Sequence, residues 1–381
     1  MTAETTSARP RELGYRMPAE WEPHEATWLA WPHNPEDWPG KFQPIPWVYA
    51  EIVGHLARAE DVHILINDEA AEKRARGILK KTGASLAHVH FHRWPTNRVW
   101  TRDSGPIFVS RDRGREPKTR NTDPAAPARI QFAPVAVTNW KFNAWAKYPD
   151  WQLDDKIPEL AAEFLEMQQW KPSLETPGGP QRVVLEGGSI DVNGAGTLIT
   201  TEECLLSEVQ QRNPGVSREQ LEKIFHDYLG IGQVLWMNRG IAGDDTHGHV
   251  DDITRFVDRN TIVTVIEPNS QDPNHLPLEE NLERLRSARN PQGKPFDIIT
   301  LPMPSPVVFA GQRLPASYAN FYIANGIVLV PTFNQAMDRR ALNILAEAFP
   351  SREVVGIFCG DLIWGLGALH CMTQQQPKVA P

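Results

Sequence analysis

The chain has few cysteines and no long apolar run. It carries three cysteines in 381 residues, at positions 204, 359 and 371. An odd and small number of cysteines cannot form a disulfide framework and favours a reducing compartment. We expect no membrane span, because no stretch of about 18 apolar residues occurs. The stretch MTAETTSARPRELGY lacks the apolar core of a signal peptide, so these absences together predict a cytoplasmic protein.

Positive charge is not concentrated in any segment either. The formal net charge is −8, and Lys and Arg form no cluster, which argues against a nucleic-acid partner. An acidic surface mildly favours cationic ligands. Hydrophobic residues make up 41% of the chain and charged residues 23%, which is typical of a globular protein with a sizeable core.

Helical and strand-like patterns alternate along the chain. The pattern WVYAEIVGHLARA predicts a helix and the following DVHILIND a strand, and the same order returns in SREQLEKIFHDYLG with IGQVLWM. Strands separated by single helices predict an α/β fold. No stretch resembles an interdomain linker. We therefore predict an irregular N-terminus over residues 1–13, one domain over residues 14–377 and a tail over residues 378–381.

Three segments depart from this alternation. Residues 20–40 contain four Trp and four Pro residues. Because proline interrupts helices and restricts the residue before it, we predict an irregular segment anchored by aromatic side chains. Residues 110–130 and 267–280 are rich in proline and charge and are predicted to be loops.

The stretch GDDTHGHVDDITRFV, residues 243–257, places two histidines and four aspartates within nine positions. If it forms a strand, His247, His249 and Asp251 share one face. One interpretation is a zinc hydrolase site with these three residues as ligands, although zinc would need a further histidine where Asp252 stands. A metal-free proton-transfer site and a polar surface turn are the alternatives.

Three other residues could take part in chemistry. Cys371 follows the glycines of DLIWGLGALHCMTQQQP and could be a nucleophile if an acid–base group reaches it. A small buried hydrophobe is the other interpretation, and the one we favour for the remaining cysteines. Asp103 in VWTRDSGPIF and Glu186 in VVLEGGSIDV stand beside glycines, which let a ligand approach closely. Each could instead be a turn or cap partner.

Together these stretches resemble the agmatine deiminase and bacterial peptidylarginine deiminase family. The similarity runs from GYRMPAEWEPHEATWLAWP through TRDSGPIFV, LEGGSIDVNGAGTLITTEECLL, GDDTHGHVDD and LPASYANFYIANGIVLVPTF to GLGALHCMTQQQP, in the same order over residues 14–377. The resemblance implies a five-fold pseudosymmetric α/β propeller (pentein) of ββαβ-type modules. Residues 14–377 would then form a single catalytic domain with its site on the central axis.

The resemblance also implies hydrolytic deimination of a small guanidino substrate, foremost agmatine to N-carbamoylputrescine and ammonia in putrescine biosynthesis. A guanidinium is planar and permanently charged, so two carboxylates can hold its N–H edges over a nucleophile. No metal or organic cofactor is expected, and a homo-oligomer is compatible. The implied roles are Cys371 as nucleophile, His249 as general acid/base, Glu186 as the group that orients His249, Asp103 and Asp251 as guanidinium ligands, and Trp100 as a further substrate contact.

Departures from the family pattern concern the part of the site that binds the rest of the substrate. The usual N-D-x-W-x-R-D is NRVWTRD here, with Arg98 in the acidic place. The usual G-D-E-T-[ND]-G-H is GDDTHGH, with Asp245 for Glu and His247 for Asn or Asp. We count all three as candidate substrate-binding residues. Arg98 could favour an anionic tail, as in arginine or a peptidylarginine, or could simply point to solvent.

Overall fold

Helices and strands alternate in the computed structural model of the protein, which describes residues 8–111, 133–176 and 179–378. The helices are α1 (Ile45–Leu56), α2 (Glu69–Lys81), α3 (Thr101–Ser104), α4 (Ile157–Phe164), α5 (Glu202–Leu206), α6 (Arg218–Leu229), α7 (His275–Ser287) and α8 (Ala336–Ala348). The strands are β1 (His24–Ala30), β2 (Asp61–Leu65), β3 (Val89–His92), β4 (Ile107–Ser110), β5 (Val135–Thr138), β6 (Gln169–Trp170), β7 (Ser173–Thr176), β8 (Gly179–Arg182), β9 (Asp191–Val192), β10 (Thr197–Thr201), β11 (Gln233–Met237), β12 (Thr254–Phe256), β13 (Thr261–Ile266), β14 (Asp297–Pro302), β15 (Val308–Phe309), β16 (Gln312–Arg313), β17 (Tyr322–Ala324), β18 (Ile327–Thr332), β19 (Glu353–Phe358) and β20 (Gln374–Pro377).

Five sheets of the described residues repeat one topology. In each sheet a middle strand pairs antiparallel with one strand and parallel with the strand that follows the next helix or helices. The five sets are β20-β1-β2, β4-β5-β6, β9-β10-β11, β12-β13-β14 and β17-β18-β19. The first sheet gains β3 beside β2, and β7-β8 and β15-β16 are separate hairpins. The ββαβ repeat confirms the α/β prediction.

The Trp- and Pro-rich segment at residues 20–40 contains a strand, so the prediction of a wholly irregular segment was wrong. Strand β1 lies between β20 and β2, and every residue from Ala26 to Ala30 is buried. The indole N–H of Trp28 donates to Gln376 on β20 at 2.9 Å. Pro23 and Pro32 flank β1 and do not interrupt it, so proline limits the length of this strand without preventing it.

The predicted loop at residues 267–280 was also partly wrong, because α7 begins at His275. Pro277 lies in the first turn of α7, where a proline costs no helical hydrogen bond. The other predicted loop falls mostly on residues 112–130, which lie outside the described residues, as do residues 1–7 and 379–381. Within the N-terminal segment, Pro10–Leu13 form a 3-10 helix.

The large apolar core extends across the first and the last sheets. It includes Trp28 and Leu29 of β1, Val328 and Leu329 of β18, and Cys371 next to β20. No helix among the described residues is both long and apolar enough to cross a membrane.

Candidate active site

The repeated topology places one polar residue shortly before the antiparallel strand of each sheet. Asp103 precedes β4, Glu186 precedes β9, Asp251 precedes β12, Asn320 precedes β17 and Cys371 precedes β20. All five side chains are buried. Because the five sheets repeat one arrangement, equivalent positions converge, and the predicted residues from distant parts of the chain meet in one centre.

His249 lies in the middle of three carboxylates. Its Nδ1 is 3.8 Å from Asp103 Oδ1 and 4.0 Å from Asp251 Oδ1, and its Nε2 is 3.9 Å from Glu186 Oε2. Neither ring nitrogen has a hydrogen-bond partner within 3.5 Å among the described N and O atoms, although both are buried. The space beside the ring depends on Gly188, where a Cβ would lie 2.6 Å from His249 Nδ1. His249 is therefore free to exchange hydrogen bonds with a ligand.

The protonation of His249 is set by these neighbours. Burial disfavours the imidazolium, but Asp103, the nearby Cys204 thiol and Asp251 outweigh burial and raise the pKa of His249 well above its ordinary value. These neighbours favour the protonated ring, which can act as a proton donor.

Cys371 lies on the other side of Asp251. Its Sγ is 3.1 Å from the side-chain amide nitrogen of Asn320 and 3.8 Å from Asp251 Oδ2. Burial raises the pKa of the Cys371 thiol well above its ordinary value, and Asp251, Asp252 and Asp103 add to the increase. This environment favours the neutral thiol, and a bound cation would favour the thiolate.

Asp103 is held by neutral donors. The indole N–H of Trp145 donates to its Oδ2 at 2.9 Å, and the backbone N–H of Gly188 donates to its Oδ1 at 3.0 Å. Burial raises the pKa of Asp103 to about 6, although His249 draws it down. Asp103 thus has no cation in direct hydrogen-bond contact, and a ligand can supply one.

Asp251 is part of a buried chain of charged groups. Its Oδ2 contacts His370 Nδ1 at 2.6 Å, and His370 Nε2 contacts Glu20 at 2.8 Å. Glu20 in turn pairs with Arg102 and Arg255. Burial would raise the pKa of Asp251, but His370 and His249 hold it below its ordinary value. The second oxygen, Oδ1, has no hydrogen-bond partner within the described part of the chain and lies 4.0 Å from His249 Nδ1.

Glu186 is fixed by one arginine. Arg212 Nε donates to Glu186 Oε1 at 3.0 Å, and both side chains are fully buried. The other oxygen, Oε2, has no hydrogen-bond partner among the described residues and is the atom nearest His249 Nε2. This geometry suits the predicted role of Glu186 as the group that orients His249.

The centre opens into a cavity of about 540 Å³ whose lining includes Asp103, Trp145 and Cys371. Trp100 and Thr246 also line it. The rest of its charged lining forms a group that we call the acidic wall: Glu36, Asp37, Arg98, Asp150 and Asp245. Of the predicted substrate-binding residues, Trp100, Arg98, Asp245 and Asp103 therefore lie at the cavity.

The stretch at residues 247–251 is not a strand, so that prediction was wrong. His247 has φ 61° and Gly248 φ 96°, and a 3-10 helix follows over Val250–Asp252. The turn is held by Asp244, whose carboxylate accepts the backbone N–H groups of Gly248 and His249. Left-handed backbone at both positions excludes a strand.

As a result His247 is separated from the centre. Its ring contacts Ser207 Oγ at 3.2 Å and lies 3.9 Å from Glu203, and it does not line the cavity. The zinc interpretation required His247, His249 and Asp251 on one face, and the structure does not bring these three together.

Two groups within the described part of the chain bring three possible metal ligands within 4.8 Å of one another. They are Glu186 with Cys204 and His249, and Asp251 with Asp252 and Cys371. Arg212 already neutralises Glu186 in the first group. Neither group includes His247.

Several residues of the centre had not been predicted from the sequence. His370, Asn320 and Trp145 contact Asp251, Cys371 and Asp103 directly. His370 stands next to Cys371 in the chain. Asn320 lies two residues before β17, a position comparable to that of Asp103, which lies four residues before β4. Alignment of the five ββαβ repeats would have found Asn320, while no local pattern marks Trp145.

The fold and centre define a class: an α/β protein whose buried centre of one cysteine, one histidine and three carboxylates lies beside a cavity lined by Asp103 and Cys371. The model of the Porphyromonas-type peptidyl-arginine deiminase family matches residues 16–377, and the chain belongs to this family.

Named relatives agree with this assignment. Agmatine deiminase of Pseudomonas syringae pv. tomato is 34% identical over 396 residues, which cover 98% of each chain. The solved agmatine deiminase of Enterococcus faecalis is 28% identical with a TM-score of 0.85 and covers 99% of this chain and 100% of its own. The C. jejuni agmatine deiminase with substrate bound is 27% identical with a TM-score of 0.80, covering 96% and 97%.

Proposed function

We propose that the protein is a cysteine-dependent hydrolase that converts agmatine and water to N-carbamoylputrescine and ammonia. One observation carries the proposal: Cys371, His249 and three carboxylates form a buried centre at an acidic cavity. The relatives named agmatine deiminase support the substrate.

Binding uses Asp103, which has no cation in direct hydrogen-bond contact, and Asp251, whose Oδ1 has no hydrogen-bond partner among the described residues. Asp103 and Asp251 accept the N–H edges of the guanidinium, which places its central carbon over Cys371 Sγ. The positive charge offsets the carboxylates that raise the pKa of the thiol. Binding of the substrate thus favours the thiolate that reacts with it.

The chemical steps divide between Cys371 and His249. The thiolate adds to the guanidinium carbon, and the His249 imidazolium gives its proton to the departing ammonia. His249 is then neutral and takes a proton from the attacking water. Collapse of the second tetrahedral species forms the ureido carbonyl and expels the Cys371 thiolate, and the hydroxyl proton leaves to solvent, where it converts the released ammonia to ammonium. Glu186 holds the His249 ring throughout.

An anionic-tail substrate, arginine or a peptidylarginine, is the second candidate. The description of the family model favours it. The ion pairs of Arg98 oppose it, because both Nη atoms of Arg98 already donate to carboxylates of the protein, Asp37 and Asp150, at 2.9 Å. Arg98 therefore does not point to solvent, and its two Nη atoms are not available for a bidentate contact with a substrate carboxylate.

We also propose that the five ββαβ sheets are the blades of a five-fold pseudosymmetric propeller and that residues 14–377 act as one catalytic domain. The repeated strand order and the convergence of one polar residue per sheet support this arrangement. A cytoplasmic setting, a homo-oligomer, and the lack of a nucleic-acid or membrane partner stay predictions from the sequence.

A product assay tests the function. The purified protein is incubated with agmatine, arginine and an arginyl peptide, and ureido product and ammonia are measured with and without EDTA. We expect agmatine to react fastest, one ammonia per ureido group, no effect of EDTA, and a loss of at least about 10⁴-fold in Cys371→Ser. Activity that needs a metal and survives Cys371→Ser would refute the proposal.

A further inference from the structure

The acidic wall is organised around one cation. Arg98 donates from Nη1 to Asp37 Oδ1 and from Nη2 to Asp150 Oδ1, and its guanidinium lies 4.3 Å from the ring centre of Tyr148. The Arg98 side chain is 15% exposed. These contacts fix Arg98 in the wall and direct its charge toward carboxylates of the protein.

Asp37 has an oxygen without a partner. Its side chain is 3% exposed, and Oδ1 accepts from Arg98 and, at 3.4 Å, from the Asn34 amide. Oδ2 is buried with no hydrogen-bond partner among the described residues, although Asp37 lines the cavity. A buried carboxylate oxygen without a donor is costly unless a ligand supplies one.

The net negative charge around Asp37 favours binding of a cation. The acidic wall contains one arginine and four carboxylates: Glu36, Asp37, Asp150 and Asp245. Asp245 is also paired with Lys147. Burial raises the pKa of Asp37 to about 6; Arg98 and His33 lower it, while Asp150 and Glu36 raise it. The negative charge exceeds the positive charge at this end of the cavity.

We propose that Asp37 Oδ2 is the acceptor for the terminal ammonium of the substrate, and that Arg98 is a positioning residue that holds Asp37 through Oδ1. The inference rests on the proposed function, because it assigns the far end of a guanidino substrate whose other end lies at Asp103. The substrate class is a dication with a guanidinium and a primary ammonium on a short chain.

The unpaired Nε of Arg98 gives the competing assignment. This atom is also buried and has no hydrogen-bond partner among the residues that the structure describes, and a substrate carboxylate could accept from it. One N–H beside an excess of carboxylates is a poor anion site, because the repulsion of Asp37 and Asp150 acts against it.

The test compares three ligands that share a guanidinium: agmatine, butylguanidine, which lacks the amine, and 4-guanidinobutyrate, which has a carboxylate instead. For Asp37→Asn we expect KM for agmatine to rise about 10- to 100-fold with kcat nearly unchanged, since a charge-assisted hydrogen bond is lost. Butylguanidine should change by less than about threefold. The matched control Glu283→Gln removes one charge from an exposed carboxylate of α7 that does not line the cavity, and it should leave both substrates nearly unchanged.

Calorimetry on the Cys371→Ser background separates this inference from the proposed function. If the wild type turns over no guanidine but Asp37→Asn still weakens agmatine binding selectively, the function fails and the subsite stands. Equal losses for agmatine and butylguanidine, an equal loss in Glu283→Gln, or tighter binding of 4-guanidinobutyrate than of agmatine by the unsubstituted chain would each overturn the subsite.

Discussion

The catalytic centre and the acidic wall meet at one cavity but are built differently. In the centre, Asp103, Glu186, Asp251 and Cys371 each precede the antiparallel strand of a different sheet. In the wall, Asp37 and Asp150 lie in connections between a strand and a helix, and Arg98 lies between β3 and α3. A repeated scaffold holds the chemistry in place, whereas residues of the connections can change without moving the centre.

This difference predicts two classes of substitution. One class changes the turnover of every guanidine substrate, and the other changes only the turnover of substrates with a particular tail. A change in the centre should reduce turnover of any guanidine. A change in the wall should act only through the tail of the substrate, as the Asp37→Asn experiment tests.

After Cys371→Ser, the largest effect is expected in the centre at Asp103. Asp103→Asn keeps the size of the side chain but removes the charge that binds the guanidinium. We expect kcat/KM to fall on the order of 10²- to 10³-fold for agmatine and for butylguanidine alike, because a buried charge pair loses one partner. Steady-state kinetics check this, with Asp227→Asn on the surface of α6 as the control. A loss confined to agmatine would place Asp103 at the tail instead.

A smaller effect is expected from pH, and it distinguishes the two regions. The pKa values of Asp103 and Asp37 are both raised to about 6 by burial. Below pH 6 each carboxylate becomes neutral and no longer attracts a cation, so kcat/KM should fall as the pH falls. As the pH falls below 6, the slope of the logarithm of kcat/KM against pH should steepen by two for agmatine and by one for butylguanidine, in addition to the loss of the Cys371 thiolate that both substrates share. Circular dichroism must show a folded protein over the range, and equal slopes would contradict separate roles.

The smallest effect is expected at His247, which departs from the family pattern but does not line the cavity. His247→Asn should change kcat/KM by less than about twofold, as for most substitutions outside a site. Stability should be kept, because asparagine tolerates the left-handed backbone at φ 61°. A tenfold change in the ratio of agmatine to arginine turnover would restore a role for His247 in substrate choice.

The sequence predicted the α/β fold and the members of the centre better than their local geometry. Asp103, Glu186, His249, Asp251 and Cys371 stand in motifs, and the structure brings them together. Alternation could not predict the turn at residues 247–248, because its shape depends on Asp244 accepting backbone N–H groups.

The wall could not be predicted for another reason. Arg98 alone suggested an anionic tail, but its charge is neutralised by Asp37, 61 residues earlier, and Asp150, 52 residues later. Pairing between residues so far apart leaves no local signal. The prediction of an irregular segment at β1 failed for a different reason, because prolines that interrupt a helix leave room for a short strand between them.

The central claim is that Cys371 forms a covalent bond with the substrate carbon. Acid-quenched turnover of agmatine followed by mass spectrometry of peptides tests it most directly. The account predicts an adduct of agmatine minus ammonia on Cys371 and on neither Cys204 nor Cys359, and none in Cys371→Ser. Turnover with normal product and no adduct at Cys371 at any quench time, together with activity in Cys371→Ser, would contradict it.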